Sequence, residues 1–160
     1  MSNQVYDALK EGLLDSSINL ITDDIYVLLV QEYNTEVTTS ATTLSGTMSF
    51  EYSGSTGLEL TETSGINYTS GGYCLTNKAV SGSDGTFFFD ADDITISATA
   101  PGIENTSITA GGMLLYKRLT PIETSIPLAY FDLGTDNVTL NSPYIIQWYS
   151  TGILSMETKE

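Results

Sequence analysis

The spacing of apolar residues changes once along the chain. In residues 3–14, NQVYDALKEGLL, the apolar residues Val5, Ala8, Leu9 and Leu13 recur at near-helical spacing. This spacing predicts an amphipathic helix with one apolar stripe. A single stripe on a short helix indicates that the helix packs on a sheet rather than holding a cofactor. After this segment the pattern becomes that of β-strands.

Most of the remaining chain predicts short strands separated by turn residues. Residues 25–33, IYVLLVQEY, are apolar on both faces, which predicts a central strand covered on two sides. The other predicted strands are 47–53 (TMSFEYS), 57–63 (GLELTET), 66–70 (INYTS), 72–77 (GYCLTN), 86–89 (TFFF), 93–100 (DITISATA), 113–119 (MLLYKRL), 126–133 (IPLAYFDL), 136–141 (DNVTLN), 143–150 (PYIIQWYS) and 152–156 (GILSM). Close spacing of this kind predicts an all-β fold, either an antiparallel β-sandwich or a closed barrel.

Three segments predict loops instead. Residues 34–47, NTEVTTSATTLSGT, are rich in Ser and Thr and read as an exposed loop or arm, or as a weakly patterned edge strand. Residues 78–85 and 101–112 read as irregular connections, the first ending in an Asp-Gly turn. Neither an internal repeat nor an interdomain linker is visible, so residues 1–160 predict one domain.

The charge balance limits the possible partners. The chain has 20 acidic and 5 basic residues, for a net charge of −15. This field disfavours contact with nucleic acid or anionic membranes, so neither is an expected partner. The N-terminal residues lack a signal-peptide pattern, and the longest apolar run, residues 25–30, is too short to span a bilayer. We therefore expect synthesis in the cytoplasm.

The sequence lacks the residues and motifs that most often carry out catalysis. It contains no histidine, which removes the commonest general base and metal ligand. Its single cysteine, Cys74, excludes an intrachain disulfide and a Cys-based zinc site, and its apolar neighbours predict a buried or half-buried side chain. No glycine-rich phosphate loop precedes a helix. The sequence therefore predicts a protein that is not an enzyme, with no catalytic residue and no cofactor.

Three aspartates form the most conspicuous acidic cluster. Asp90, Asp92 and Asp93 lie in FFFDADDITISATA, residues 87–100. A calcium loop needs oxygen ligands at alternate positions, and Ile94 breaks that pattern at the third ligand. We therefore predict a solvated strand corner with the phenylalanines inside and the aspartates bonded to backbone amides. A looser calcium site completed by backbone carbonyls is the alternative.

Aromatic and basic residues suggest two further sites. Trp148 alternates with apolar neighbours in IIQWY, which favours a core or interface position over a sugar platform. Lys117 and Arg118 form the only pair of adjacent basic residues. They read either as a solvated strand end or as a contact for an acidic partner.

The order of several motifs resembles a known group of proteins. The motifs are VYDALKEGLL, INLITDDIYVLLV, FFFDADDITISA, GMLLYKRL, IPLAYFDLG and IIQW. As an ordered set they resemble small structural proteins of tailed bacteriophages, some of which are shell-decorating (cement) proteins. The resemblance covers the first 33 residues and roughly residues 86–156. It implies a β-sandwich, jelly-roll-like, with a short N-terminal α-helix, and it carries no catalytic residues.

The resemblance also implies a function. We expect a capsid decoration protein on the surface of the virion head, bound to the major capsid protein and self-associated as a dimer or trimer. Two alternatives remain open. One is a head–tail connector or tail component, and the other is a carbohydrate-binding β-sandwich for host attachment.

Overall fold

The computed structural model describes residues 3–32, 37, 39–44, 60–83, 85–97, 107–140 and 142–157. These residues form one α-helix, one 3₁₀ turn at Ile122–Thr124 and eleven strands, all of whose pairings are antiparallel. The elements are β1 Gln4–Val5, α1 Asp7–Leu14, β2 Ile25–Val30, β3 Gly65–Ile66, β4 Tyr73–Cys74, β5 Ala79–Ser83, β6 Thr86–Asp90, β7 Ile94–Ile96, β8 Ser107–Lys117, β9 Ile126–Leu140, β10 Tyr144–Ile146 and β11 Leu154–Glu157. The predicted all-β antiparallel class with a short N-terminal helix is confirmed, and jelly-roll topology stays a prediction.

The largest sheet has the strand order β1-β9-β8-β2-β4, with β3 paired to the start of β8. Strand β2 lies between β8 and β4 and is buried along most of its length. Its alternate side chains enter two different apolar clusters: Leu29 packs in one and Leu28 in the other. The prediction of a central strand covered on both faces is therefore confirmed.

Two smaller sheets cover one face of the large sheet. Their strand orders are β11-β6-β5 and β10-β7. Phe89 of β6 and Ile146 of β10 share a buried cluster with Val27 and Leu115 of the large sheet and with Leu9 of α1. The helix and the small sheets thus form a second layer, and the apolar stripe predicted for residues 3–14 is one of the surfaces that join the layers.

The N-terminal helix is shorter than predicted. It begins at Asp7 rather than at residue 3, because Gln4 and Val5 form β1 and pair with β9. The backbone N–H of Tyr6 donates to Leu128 O, so the chain belongs to the sheet up to the residue before the helix. Apolar periodicity did not distinguish this strand from a first helical turn.

Residues 78–85 are another correction, because Ala79–Ser83 is strand β5 rather than a loop. Strand β5 pairs along its full length with β6. The Ser- and Gly-rich composition favoured a loop, yet the backbone hydrogen bonds of β6 hold the segment in a hairpin. Gly85 at the turn has a φ of 81°, a conformation that glycine adopts at little cost.

Residues 101–112 were predicted as irregular, but strand β8 begins at Ser107. The Gly111-Gly112 pair lets two backbones approach closely, because a Cβ at Gly111 would lie 2.3 Å from Gln31 O. Opposite this pair, the segments predicted as separate strands 126–133 and 136–141 form one strand, β9. The register passes from Gly112↔Asp132 to Ala110↔Asn137, so residues 133–136 bulge out of the ladder.

Other predictions fall partly or wholly outside the described residues. These are the strand at 47–53, half of the Ser/Thr-rich segment 34–47, the start of the strand at 57–63 and the end of the strand at 93–100. Within the strand predicted at 57–63, Glu62 forms an isolated bridge with Val30.

Candidate functional site

The register of β11, β6 and β5 builds an apolar sheet face. Phe89 of β6 pairs with Val80 on one side and Leu154 on the other, and Phe87 pairs with Gly82 and Met156. Because alternate residues of a strand share a face, these side chains all project from the same side of the small sheet. Gly82 has no side chain, which leaves space beside Phe87.

Helix α1 provides the opposite wall and turns this face into a groove. We call the space of about 440 Å³ between them the apolar groove, and its main lining residues are Leu9, Leu13, Leu14, Val80, Phe87 and Met156. The helix contributes its apolar stripe, and the sheet contributes the face set by the strand register.

The apolar groove is closed at one end and open at the other. At the closed end, Phe89 and Leu9 are only 3% and 4% exposed. At the open end Phe87 is 48% exposed, Met156 58% and Leu14 88%. Folding of the chain alone therefore leaves a contiguous apolar surface in water, a feature that commonly marks a site of association.

The charge around the apolar groove comes from one paired lysine and from the acidity of the whole chain. Lys10, on its wall, forms an ion pair of 2.9 Å with Asp7. Glu11 on α1 and Glu157 at the end of β11 are exposed. With Lys10 paired and a net charge of −15 on the chain, an apolar occupant with basic or neutral flanking residues is favoured.

The aspartate cluster joins distant segments. Asp92 Oδ2 accepts hydrogen bonds from Asn77 Nδ2 at 2.6 Å and from Thr76 Oγ1 at 3.2 Å. Asp93 Oδ1 accepts the backbone N–H of Trp148 at 3.0 Å. The described residues contain no group of three metal-ligating side chains, and the looser calcium site completed by backbone carbonyls stays a prediction. The expectation that the phenylalanines lie inside holds for Phe89 and is wrong for Phe87.

The basic pair at the end of β8 makes internal contacts. Lys117 Nζ lies 2.7 Å from Asp23 Oδ2 and donates to Ser17 O at 2.8 Å. Burial of Asp23 opposes ionisation, but the hydrogen bond from Lys117 and the neighbouring positive charges hold the pKa of that carboxyl below its ordinary value. Arg118 lies 4.7 Å from the centre of the Tyr26 ring. Partner contact by Lys117 and Arg118 stays a prediction.

A second concave surface, the aromatic cleft, lies where β9 passes the β10–β11 connection. It has a volume of about 850 Å³, and its main lining residues are Asn3, Phe131, Asp132, Gln147, Trp148 and Tyr149. The rings of Phe131 and Trp148 are 6.4 Å apart. Trp148 is half-buried against the main apolar cluster, as predicted for a core or interface residue, and it also lines the cleft.

Cys74 is exposed, which corrects the expectation of a buried or half-buried side chain. It lies on β4, a two-residue strand at the edge of the large sheet. Three tyrosines, Tyr6, Tyr116 and Tyr130, are fully buried. Burial raises the pKa of both Tyr116 and Tyr130 to about 12, and it raises the pKa of Tyr68 further.

Sequence reasoning missed both concave surfaces. The signals were present in the helix stripe, the FFF run and the last strand, but each is equally typical of a closed core.

None of the helices in the described residues has the length and apolarity to cross a membrane. Comparison of the chain with protein-family models, curated proteins and solved structures finds no match in any of the three.

Proposed function

We propose that this chain is a non-enzymatic structural protein of a bacteriophage virion, which decorates the outside of the head and bridges neighbouring major capsid subunits. The observation that carries the proposal is the apolar groove, a preformed apolar surface whose open end is unfilled. The resemblance to small structural proteins of tailed bacteriophages supplies the particular setting.

Hydrophobic burial provides the reason for association. Covering a Leu, Phe, Met or Val side chain completely is worth about 1.5–3 kcal/mol. The open end of the apolar groove exposes about half or more of Phe87, Met156 and Leu14. An occupant that covers these side chains gains a modest free energy per copy, and many copies on one shell add these gains together.

Charge selects the kind of occupant. Each copy of the chain carries a net charge of −15, and Lys10, which lines the groove, is paired with Asp7. A second copy would bring the same net negative charge to the groove, whereas a segment with Lys or Arg beside its apolar residues would be attracted. We therefore assign the apolar groove to a basic-flanked apolar segment of the major capsid protein.

Backbone pairing can add to this contact. Strands β5 and β11 are the outer strands of their three-stranded sheet. An extended segment can add a strand to such an edge, with affinity from main-chain hydrogen bonds and specificity from the adjoining apolar surface. The exterior of a capsid suits a chain with this charge, because packaged DNA would repel it inside.

Self-association as a dimer or trimer belongs to the same proposal, through a surface other than the apolar groove. Sedimentation equilibrium of the purified protein measures the number of chains directly. Copy number on the particle distinguishes the two structural roles. A shell decoration protein requires hundreds of copies, whereas a connector with closed ring symmetry requires about a dozen.

The proposal is tested on particles made without this chain. Purified protein is added to such shells, the bound fraction is measured by co-sedimentation, and cryo-electron microscopy locates it. We expect saturable binding at hundreds of copies per shell, with capsid density in the apolar groove. Shells that bind no protein, or bound protein whose apolar groove faces solvent, would contradict the proposal.

A further inference from the structure

We propose that the aromatic cleft is a binding site for a neutral oligosaccharide. This inference rests on different residues from the apolar groove and does not depend on a role in a virion. Its basis is the combination of aromatic and hydrogen-bonding side chains around one concave surface.

The lining has the two kinds of group that sugars require. Phe131, Trp148 and Tyr149 offer aromatic surface for the apolar C–H faces of a pyranose ring. Asn3 and Gln147 offer amide groups that can each donate and accept hydrogen bonds with hydroxyl groups. A ligand that is purely apolar would offer no hydrogen bond to the Gln147 amide or to Asn3 Nδ2, and the pattern therefore favours a molecule rich in hydroxyl groups.

Two residues of the aromatic cleft, Trp148 and Asn3, are held in position before any ligand arrives. The indole N–H of Trp148 donates to Asp92 O at 3.1 Å, and its backbone N–H donates to Asp93 Oδ1 at 3.0 Å. Asn3 Oδ1 accepts the backbone N–H of Asp132 at 3.3 Å. Because these contacts hold Trp148 and Asn3, those two side chains lose little conformational entropy on binding.

Tyr149 differs from its neighbours because it is 85% exposed. It lies at the start of the turn in which Gly152 N donates to Tyr149 O at 2.8 Å. Exposure of a whole aromatic ring beside a half-buried tryptophan provides a stacking surface that the folded chain does not itself cover.

Charge sets the sugar class. The described basic residues do not line the aromatic cleft, and Asp132 contributes a carboxyl group to it. Anionic sugars would meet no positive side chain here and would be repelled by the overall charge of −15. The volume of about 850 Å³ exceeds what a single sugar needs and accommodates a short oligosaccharide.

The experiment uses Trp148 as its own reporter, since it is the only tryptophan in the chain. A glycan array identifies candidate ligands, and each candidate is titrated while the fluorescence of Trp148 is recorded. We expect saturable changes with one or more neutral oligosaccharides. Absence of array binding, absence of a fluorescence change, or preference for anionic glycans would overturn the inference.

Matched variants separate the two surfaces. Tyr149→Ala and Gln147→Ala each remove an exposed side chain of the aromatic cleft, and we expect each to weaken sugar binding about tenfold. Phe87→Ala removes an exposed aromatic ring of the apolar groove and should leave sugar binding unchanged. If Tyr149→Ala and Gln147→Ala both bind sugar like the wild type, the site is wrong. Shell binding by the same proteins tests the capsid role separately.

Discussion

Replacing Val80 by serine tests whether the apolar groove is a contact surface. Val80 is 54% exposed and pairs with Phe89 in the groove face. Val138, on β9, is 58% exposed and lies outside the groove. Both valines are strand residues of nearly equal exposure. Val138→Ser is therefore a matched control for the loss of two exposed methyl groups and for the lower β-sheet propensity of serine.

The magnitude follows from the surface that remains to be covered. About half of Val80 is still accessible, so a partner that buries it gains about 1 kcal/mol, which the serine variant loses. This loss weakens each contact about fivefold. Leu14 is 88% exposed, and its replacement by serine should remove about 2 kcal/mol, or about thirtyfold in affinity.

The assay is co-sedimentation with undecorated shells over a range of protein concentrations. Thermal unfolding of each variant provides the folding control, and we expect changes within about 0.5 kcal/mol because these side chains are on the surface. Equal loss of shell binding in Val80→Ser and Val138→Ser, or unchanged binding in Val80→Ser and Leu14→Ser, would refute the assignment of the groove.

Three further predictions concern stability. Gly72→Ala should lower the free energy of unfolding in urea by about 3 kcal/mol, because its new Cβ would lie 2.1 Å from Val27 O. Gly134 has a similar positive φ but open space around it, so Gly134→Ala should cost only about 1 kcal/mol, and equal losses in the two variants would contradict this. Asp23→Asn should lower the free energy of unfolding at pH 7 by up to about 1 kcal/mol, measured by thermal unfolding. Because the folded-state pKa of Asp23 is depressed, this stabilisation is present above about pH 4 and lost as pH falls through the folded value; a difference that persists at pH 2 would exclude the ion pair as its source. The pKa of Tyr116 and of Tyr130 is raised to about 12, so the stabilisation from their neutral forms is complete below about pH 10 and is lost as the pH rises towards 12. Absorbance at 295 nm should show these tyrosines ionising together with unfolding. Ionisation near pH 10 in the folded protein would contradict their burial.

The sequence predicts best those strands whose own apolar pattern shows how many of their faces are covered. Residues 25–30 are apolar on both faces, and β2 indeed has a cluster on each side. Residues 79–83 were missed because Ser and Gly carry little strand preference, and only their pairing with β6 defines them as a strand. Long-range pairing also joined two predicted strands into β9 across the bulge at residues 133–136.

The candidate sites were harder to predict than the fold for a related reason. Periodicity shows that one face of α1 is apolar, but it does not show that Leu9 is covered while Leu14 is exposed. Trp148 was correctly expected to pack against its neighbours, yet its position beside Phe131 and Tyr149 depends on the turn at residues 149–152. Whether a surface stays exposed depends on how all the helices and strands pack together, and a local sequence pattern does not show this.

The apolar groove and the aromatic cleft share one short piece of backbone. Trp148 lines the cleft, Met156 lines the groove, and between them Ile153 N donates to Phe89 O at 2.7 Å. Both linings therefore depend on how this one backbone segment is held against β6, and a substitution that displaces it should disturb both surfaces.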